Sequence, residues 1–496
     1  MRIKNFNQCA LAFCAGLFAV LGFAPFSIFP FAVFALAALF VQWQRAENAR
    51  AAARLGFCFG LGLFCAGVGW IYIALHDYGN MPLALALPAT GLFVALLALF
   101  PALAGYAQAR LDAPGWARLA LVIPAVWALL EWLRGLFFTG FPWLAMGYSQ
   151  AASSPLAGYA PLLGVYGVSL TAAAIAGLLA MMWLRIGRLG LVLIALSLLW
   201  FGGEALRLVG WTRAQDESFK VSLLQGNIPQ EMKFREERLA NTLETYRRMA
   251  QQSDARLIVL PETALPLLRH QVPENYAAIL RDHARRNGGD LIIGAFESGE
   301  GRYYNSVITL GTAESQSYRK NHLVPFGEFI PLRPVLGWLI NEVLNIPMSD
   351  LARGGLPQVP LAVAGQKVAV NICYEDVFGE EIIRALPEAT LLVNVSNDAW
   401  YGNSHAAMQH NQISQMRALE TGRMMLRATN TGVTSVIGRD GRVLAMLPQH
   451  EEGVLTAQVQ GYAGSTPYVR FGNAPVLGLI ALMLGAGFRS REKKPG

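Results

Sequence analysis

From Gln8 to Gln44 the chain carries no charged side chain, and the pattern recurs from Leu55 to Leu75, Pro82 to Ala109 and Gly135 to Leu184. A helix needs about 20 apolar residues to cross the hydrocarbon core of a bilayer, so each stretch is long enough to do so. Charge returns between Arg213 and Arg470 at the density of a soluble domain. A shorter apolar stretch, Ala474 to Phe488, follows, and Arg489, Arg491, Lys493 and Lys494 close the chain. The overall charged fraction of 15%, against about 25% in a typical soluble domain, therefore averages two unlike regions.

Eight spans are expected, at about 8–24, 27–44, 55–75, 84–108, 118–138, 160–184, 189–203 and 472–488. Pro25 and Pro30 break the first apolar run into a hairpin. The Arg2/Lys4 start has the look of a signal peptide, but further spans follow at once. Neither Cys9 nor Cys14 is preceded by the small residue expected before a lipidated cysteine. The expected domains are 1–212 with seven transmembrane helices, 213–470 as an extramembrane domain, and 471–496 as an eighth helix with a basic tail.

The net charge of +7 does not point to nucleic acid, because many basic residues cluster at span ends. Arg45, Arg50 and Arg54 separate spans two and three, Arg110 and Arg118 spans four and five, and Arg185 and Arg188 spans six and seven. The alternate loops, Ala24 to Ile28 and His76 to Met81, carry no Lys or Arg. The positive-inside rule then puts both termini in the cytoplasm and the 213–470 domain on the far side.

That domain reads as alternating strands and helices: strands at Phe219–Gln225, Arg256–Leu260, Asp290–Phe296, Val368–Cys373 and Leu391–Val395, and helices at Glu236–Gln252, Tyr276–Arg286 and Gln409–Arg427. Near-continuously apolar strands separated by helices imply a sheet covered by helices. Functional groups gather at the carboxyl ends of such strands. Leu260 runs into Pro261-Glu262, Tyr318 into Arg319-Lys320, and Ile372 into Cys373. Cys373 is also the only cysteine outside the apolar spans. Brought together, Glu262 could take the thiol proton, Lys320 would favour thiolate and stabilise an oxyanion with the N–H after Cys373, and the product would be a thioester. Singly, each residue has a plainer reading: core packing for the cysteine, a helix-start residue for the glutamate, a surface residue for the lysine. Their order and contexts carry the claim.

The segments Leu260-Pro-Glu-Thr263, Tyr318-Arg-Lys-Asn-His-Leu323 and Ile372-Cys-Tyr-Glu375 resemble the nitrilase superfamily. Gly22-Phe-Ala-Pro-Phe26, Phe137-Phe-Thr-Gly-Phe-Pro-Trp143, Gly147-Tyr-Ser-Gln150, Gln225-Gly-Asn-Ile-Pro229, Val324-Pro-Phe-Gly-Glu-Phe329 and Asn397-Asp-Ala-Trp-Tyr-Gly402 extend the resemblance, over nearly the whole chain, to the apolipoprotein N-acyltransferase family. The resemblance implies a membrane helical bundle joined to an α/β nitrilase-like αββα sandwich. It implies Cys373 as nucleophile, Glu262 as general base and Lys320 as oxyanion stabiliser, with Glu328, Tyr374 and Glu375 supporting. Phe234, at a position where the family often has Trp, is expected to contact substrate along with Trp338 and Trp400. The implied reaction moves an acyl chain from a phospholipid, phosphatidylethanolamine by expectation, to the α-amine of an S-diacylglyceryl cysteine at an apolipoprotein N-terminus. The implied location is the bacterial inner membrane with the catalytic domain on the periplasmic side.

The apolar segment Phe329–Met348 is expected to be either a lid touching the membrane or an ordinary packed helix. His405 and His410 are spaced poorly for a helical metal pair, so no metal or other cofactor is expected. Arg417, Arg423 and Arg427 are expected in ion pairs, and Glu131 with Arg134 in a structural pair. Two alternatives stay open: a membrane-tethered amidase acting on small amides, and a transporter or lipid-binding scaffold with an inert nitrilase-like domain.

Overall fold

The computed structural model describes residues 2–233, 236–330 and 350–492. The chain divides into two compact units: Met1–Tyr72 with Leu83–Gly210 and Arg470–Gly496, and Ile73–Pro82 with Trp211–Val469.

The first unit is helical: α1 (Arg2–Ala19), α2 (Pro30–Gln44), α3 (Ala49–Val68), α4 (Leu83–Arg110), α5 (Ile123–Arg134), α6 (Ala160–Leu184), α7 (Leu189–Arg207) and a C-terminal helix, Ala474–Glu492. Among the described residues, five helical stretches are long and apolar enough to cross a membrane: Ala49–Val68, Leu83–Arg110, Gly115–Arg134, Pro155–Leu184 and Leu189–Arg207. Shorter apolar helices at Phe6–Gly22, Pro30–Gln44 and Ala474–Ser490 coincide with the other expected spans. Pro30 opens α2, where its missing N–H costs no helical bond. The Asn48 side chain caps α3 by accepting from Ala51 N at 2.9 Å. A methyl group on Gly62 of α3 would collide with the Phe13 carbonyl of α1, and one on Gly16 with the Phe59 carbonyl, so these backbones touch directly. Glu131 and Arg134 are buried as an internal tie: Arg134 donates to the Phe141 and Trp143 carbonyls, each at 2.6 Å, while Glu131 accepts from Trp127 Nε1 at 2.8 Å and Met146 N at 3.0 Å. By contrast, only 11% of the most apolar window of α7 is buried within the protein.

The second unit holds two six-stranded sheets. The first contains β1 (Thr212–Gln225), β2 (Leu257–Val259), β3 (Asp290–Gly299), β4 (Arg302–Gly311) and β5 (Ser317–Arg319). The second contains β6 (Leu361–Val363), β7 (Gln366–Ile372), β8 (Leu391–Ser396), β9 (Met425–Thr429), β10 (Ser435–Ile437) and β11 (Val443–Met446). The last strand, β12 (Gly453–Gly464), returns to the first sheet beside β1, giving the orders β12-β1-β2-β3-β4-β5 and β11-β10-β9-β8-β7-β6. The runs β1-β2-β3 and β7-β8-β9 are parallel.

The period-2 alternation of strands explains the layers. Val221, Leu223, Leu257, Val259 and Ile292 of the first sheet pack with Val370, Ile372, Val393, Val395 and Leu426 of the second in one core. The intervening residues Leu224, Ile258, Leu260 and Ile293 face the other way, toward Tyr246, Met249, Leu280 and Ala284 on α8 (Glu236–Gln251) and α9 (Glu274–Arg286). Ala369, Leu392 and Met425 pack with Ala418 on α10 (Ala406–Thr421). The result is the expected αββα sandwich.

One expected element is wrong in extent. The helix expected over Gln409–Arg427 ends at Thr421, because Gly422 takes the left-handed conformation of a helix stop (φ 62°). Met425–Thr429 then enters the second sheet as β9, so Arg427 lies on a strand.

Candidate active site

Four loops leave the carboxyl ends of strands and meet. After β2 comes Glu262, after β5 Lys320, after β7 Cys373 and after β8 Asn397. Glu262 is buried, and its Oε1 accepts from Asn305 Nδ2 at 2.7 Å while its Oε2 accepts from the Asn397 main-chain N–H at 2.8 Å. Gly294 of β3 makes room for this turn: a methyl group there would strike the Pro261 carbonyl, the Thr263 nitrogen and the Glu262 Cα.

Lys320, 1% exposed, places Nζ 2.9 Å from Glu328 and 3.5 Å from Glu262 Oε1. Asn305, on the neighbouring strand, accepts the Lys320 N–H at its carbonyl and also donates to Glu328 at 3.0 Å. Burial alone would drive the Lys320 ammonium toward neutrality. The Glu328 and Glu262 carboxylates override it and hold the pKa above the usual lysine range.

Cys373 is buried and takes a left-handed backbone (φ 53°), strained for a residue with a Cβ. Burial and the negative charge of Glu262 push its pKa up, against the pull of Lys320. Lys320 thus acts toward thiolate, as expected, but desolvation and Glu262 outweigh one ammonium already held by two carboxylates. All five cysteines are free.

Glu375 joins the lysine loop to the cysteine strand. Its Oε1 accepts from Asn321 N at 2.6 Å and His322 N at 3.0 Å, and its Oε2 from Ile372 N at 2.7 Å and Tyr318 OH at 3.0 Å. Burial still wins over these bonds and raises its pKa to about 7. Tyr374 is buried with its ring 5.3 Å from Phe378 and 6.0 Å from His322.

Behind the cysteine lies a second charged cluster, buried to 0% side-chain exposure. The Cys373 carbonyl contacts Asn394 Nδ2 at 3.1 Å and His410 Nε2 at 3.3 Å. His410 sits between Asp376 (2.8 Å) and Asp398 (3.0 Å), and Arg427 Nη2 donates to Asp398 at 2.8 Å. Burial and Arg427 oppose charge on His410, but the two carboxylates prevail and raise its pKa. The Asp398 pKa is pushed well down: burial acts against ionisation, and Arg427 and His410 overcome it. Arg427 and Arg417 thus make the expected ion pairs, the latter with Glu420 at 3.0 Å. Arg423 instead donates to the Ala389 and Gly464 main-chain carbonyls, so its expected ion pair gives way to backbone hydrogen bonds.

Of the expected substrate contacts, Trp400 lies on the turn Asp398–Tyr401, its ring edge-on to Tyr78 at 6.0 Å. Phe234, Trp338 and most of the Phe329–Met348 segment lie outside the described residues. Among the described residues there is no group of three or more His, Cys, Asp and Glu arranged to hold a metal. Sequence reasoning missed Asn305 and Lys233. The Lys233 ammonium is buried and donates to the Glu262 carbonyl at 3.0 Å. The one available signal was a lysine placed just after the Gln225–Pro229 segment.

The family described as apolipoprotein N-acyltransferase N-terminal domain matches residues 15–178, and the carbon-nitrogen hydrolase family matches residues 220–468. A protein of Nitrosomonas europaea named apolipoprotein N-acyltransferase is 55% identical over 99% of this chain and 100% of its own length. Proteins of the same name from Methylococcus capsulatus and Chromobacterium violaceum are 45% and 46% identical, over 97% and 95% of this chain and 96% and 92% of theirs. Among solved structures, a CN-hydrolase superfamily protein of Xanthomonas campestris is 18% identical, covers 54% of this chain and 97% of that one, and has a TM-score of 0.38, too low to bear on the argument. The shared length, the two matched regions and the identities together place this chain in the apolipoprotein N-acyltransferase family.

Proposed function

We propose that this membrane enzyme moves a fatty acyl chain from a phospholipid to the α-amine of an S-diacylglyceryl cysteine at an apolipoprotein N-terminus, by way of a Cys373 thioester. The observation that carries the reading is a buried, strained Cys373 within electrostatic reach of the Glu262–Lys320–Glu328 cluster, in a chain that also bears helices apolar enough to cross a bilayer.

In the first step Glu262 takes the Cys373 proton as sulfur attacks the ester carbonyl. The oxyanion is met by the Lys320 ammonium and the N–H after Cys373. The carbon–oxygen bond breaks, the Glu262 proton passes to the departing lysophospholipid oxygen, which leaves as a hydroxyl, and the thioester remains. In the second step the α-amine attacks the thioester, Glu262 takes the amine proton, and the sulfur leaves to recover it. The product is an amide and the enzyme is restored. Glu328 holds Lys320 in place, and Glu375 fixes the lysine loop to the nucleophile strand. The donor is phosphatidylethanolamine, and the catalytic domain works on the periplasmic face of the inner membrane. Basic span ends beside loops free of Lys and Arg support that orientation.

Intact-mass analysis of the full-length protein in phosphatidylethanolamine micelles tests the reading. Wild type gains one acyl group at Cys373, and an S-diacylglyceryl cysteine peptide discharges it. Cys373→Ala gains none. A wild-type protein that hydrolyses small amides yet never retains an acyl group would favour the amidase alternative. Equal loading from phosphatidylglycerol would remove the donor assignment alone.

A further inference from the structure

The catalytic cluster holds an imbalance that Lys320 alone does not resolve. Glu262 and Glu328 both approach its ammonium, so two buried carboxylates would share one cation. Glu375, the third carboxylate nearby, is met by hydrogen-bond donors on both oxygens. Uncompensated charge in a buried site is costly. Lys233 is the other buried lysine here. Its Nζ donates to the Glu262 carbonyl at 3.0 Å, and charge on Glu262 and on Cys373 acts on it.

Its delivery is built in. Asn430 accepts the Ile228 N–H at 3.0 Å and donates to the Ile228 carbonyl at 2.7 Å and to Asn397 Oδ1 at 3.0 Å. Asn397 in turn donates to Gln230 Oε1 at 2.8 Å, and its main-chain N–H holds Glu262. The segment carrying Lys233 is thereby tied to the loop that orients the base.

We propose that Lys233 is a second electrostatic positioning residue for the reaction, its ammonium balancing the extra carboxylate so that negative charge can move from Glu262 to the sulfur and oxyanion within a neutral site. With Lys233 charged and Glu375 protonated, as it is below its pKa of about 7, the resting cluster has two carboxylates and two ammoniums. After the thiol proton moves to Glu262, the thiolate or oxyanion replaces the lost carboxylate charge and the balance holds. Burial lowers the Lys233 pKa to about 8, with Glu262 and Cys373 resisting the fall. The cation is therefore retained at neutral pH and lost above it.

This inference rests on Cys373 being the nucleophile, but its test needs no lipid. Iodoacetamide alkylation of Cys373 is followed by peptide mass spectrometry, from pH 6 to 10, in the full-length wild type, Lys233→Met and Lys233→Arg. Besides Lys233, the charged or titratable groups around the sulfur include Glu262, Lys320, Asp398, Tyr401 and Arg427, with Glu375 two residues away and titrating near 7 in every variant, and none is altered. Lys233→Met is expected to slow alkylation at pH 7.5 about tenfold, the effect of a one-unit rise in thiol pKa, and Lys233→Arg to restore most of the rate. A Lys233→Met profile identical to wild type would overturn the proposal. So would a Lys233→Arg variant as slow as Lys233→Met, because packing rather than charge would then be at stake. A wild type that forms no acyl adduct with phospholipid would defeat the functional reading and leave this comparison standing.

Discussion

Two buried charged clusters flank Cys373, and they differ in how their charges are held. In front, the Lys320 ammonium lies between Glu328 at 2.9 Å and Glu262 at 3.5 Å, and Lys233 bonds only the Glu262 main-chain carbonyl. Behind, Asp376 and Asp398 are each paired with both His410 and Arg427, and all four side chains have no exposure. The front arrangement leaves room for a proton to change owner. The back arrangement fixes the geometry of a strained residue by gripping its carbonyl. On the proposed mechanism, burial of charge serves reactivity on one side and rigidity on the other.

If that division is right, the two clusters fail differently when broken. Glu262→Gln keeps the shape of the front cluster and removes the proposed proton acceptor. Acyl-enzyme formation should fall about 10²–10⁴-fold with the melting temperature nearly unchanged; a large drop in melting temperature would erase the contrast. Asp398→Asn leaves Arg427 and His410 short of a partner and should cost about 3–5 kcal/mol of stability, seen as a lower melting temperature before any rate is measured.

The pH dependence sharpens the same point. His410, its folded pKa raised, contributes stability in full below about pH 6.5 and loses it as pH rises through the raised value. Asp398, its folded pKa depressed, contributes above about pH 4 and loses it as pH falls through the depressed value. Glu375 works oppositely: with a pKa near 7, its cost to stability grows from about pH 4.5 upward and is complete above 7. Melting temperature against pH should therefore be highest on the acid side of neutrality in wild type, with the acid limb blunted in Asp398→Asn.

Two smaller effects complete the series. Gly294→Ala should cost about 1–3 kcal/mol by overpacking and should also slow acylation, because the displaced backbone is that of Glu262. Tyr318→Phe removes one of the bonds to Glu375 and should cost only about 0.5–1.5 kcal/mol, with turnover nearly intact. If Tyr318→Phe proved as damaging as Glu262→Gln, the lysine loop would belong with the rigid cluster.

Much of this was legible in the chain. Charge-free runs mark the helices, and apolar strands that stop at Glu262 and Cys373 mark the site, because burial imposes a local pattern on sequence. Lys320 was legible from its place after Tyr318 and, more sharply, through its motif. Asn305, Asn430 and Lys233 were not legible, because each works across elements far apart in sequence and nothing beside them announces the partner. Arg427 was misread for a related reason: the segment around it looks helical until Gly422 turns the chain into the second sheet.

The sparse internal contact of α7 has a practical consequence. With 11% of its apolar window covered by protein and Leu191, Ile194, Leu198 and Phe201 facing outward, this helix owes its environment to whatever amphiphile surrounds it. Exchange into a short-chain detergent should loosen α7 well before the glycine-sealed contact of α1 with α3, so the choice of solubilising agent will decide how intact the purified enzyme is.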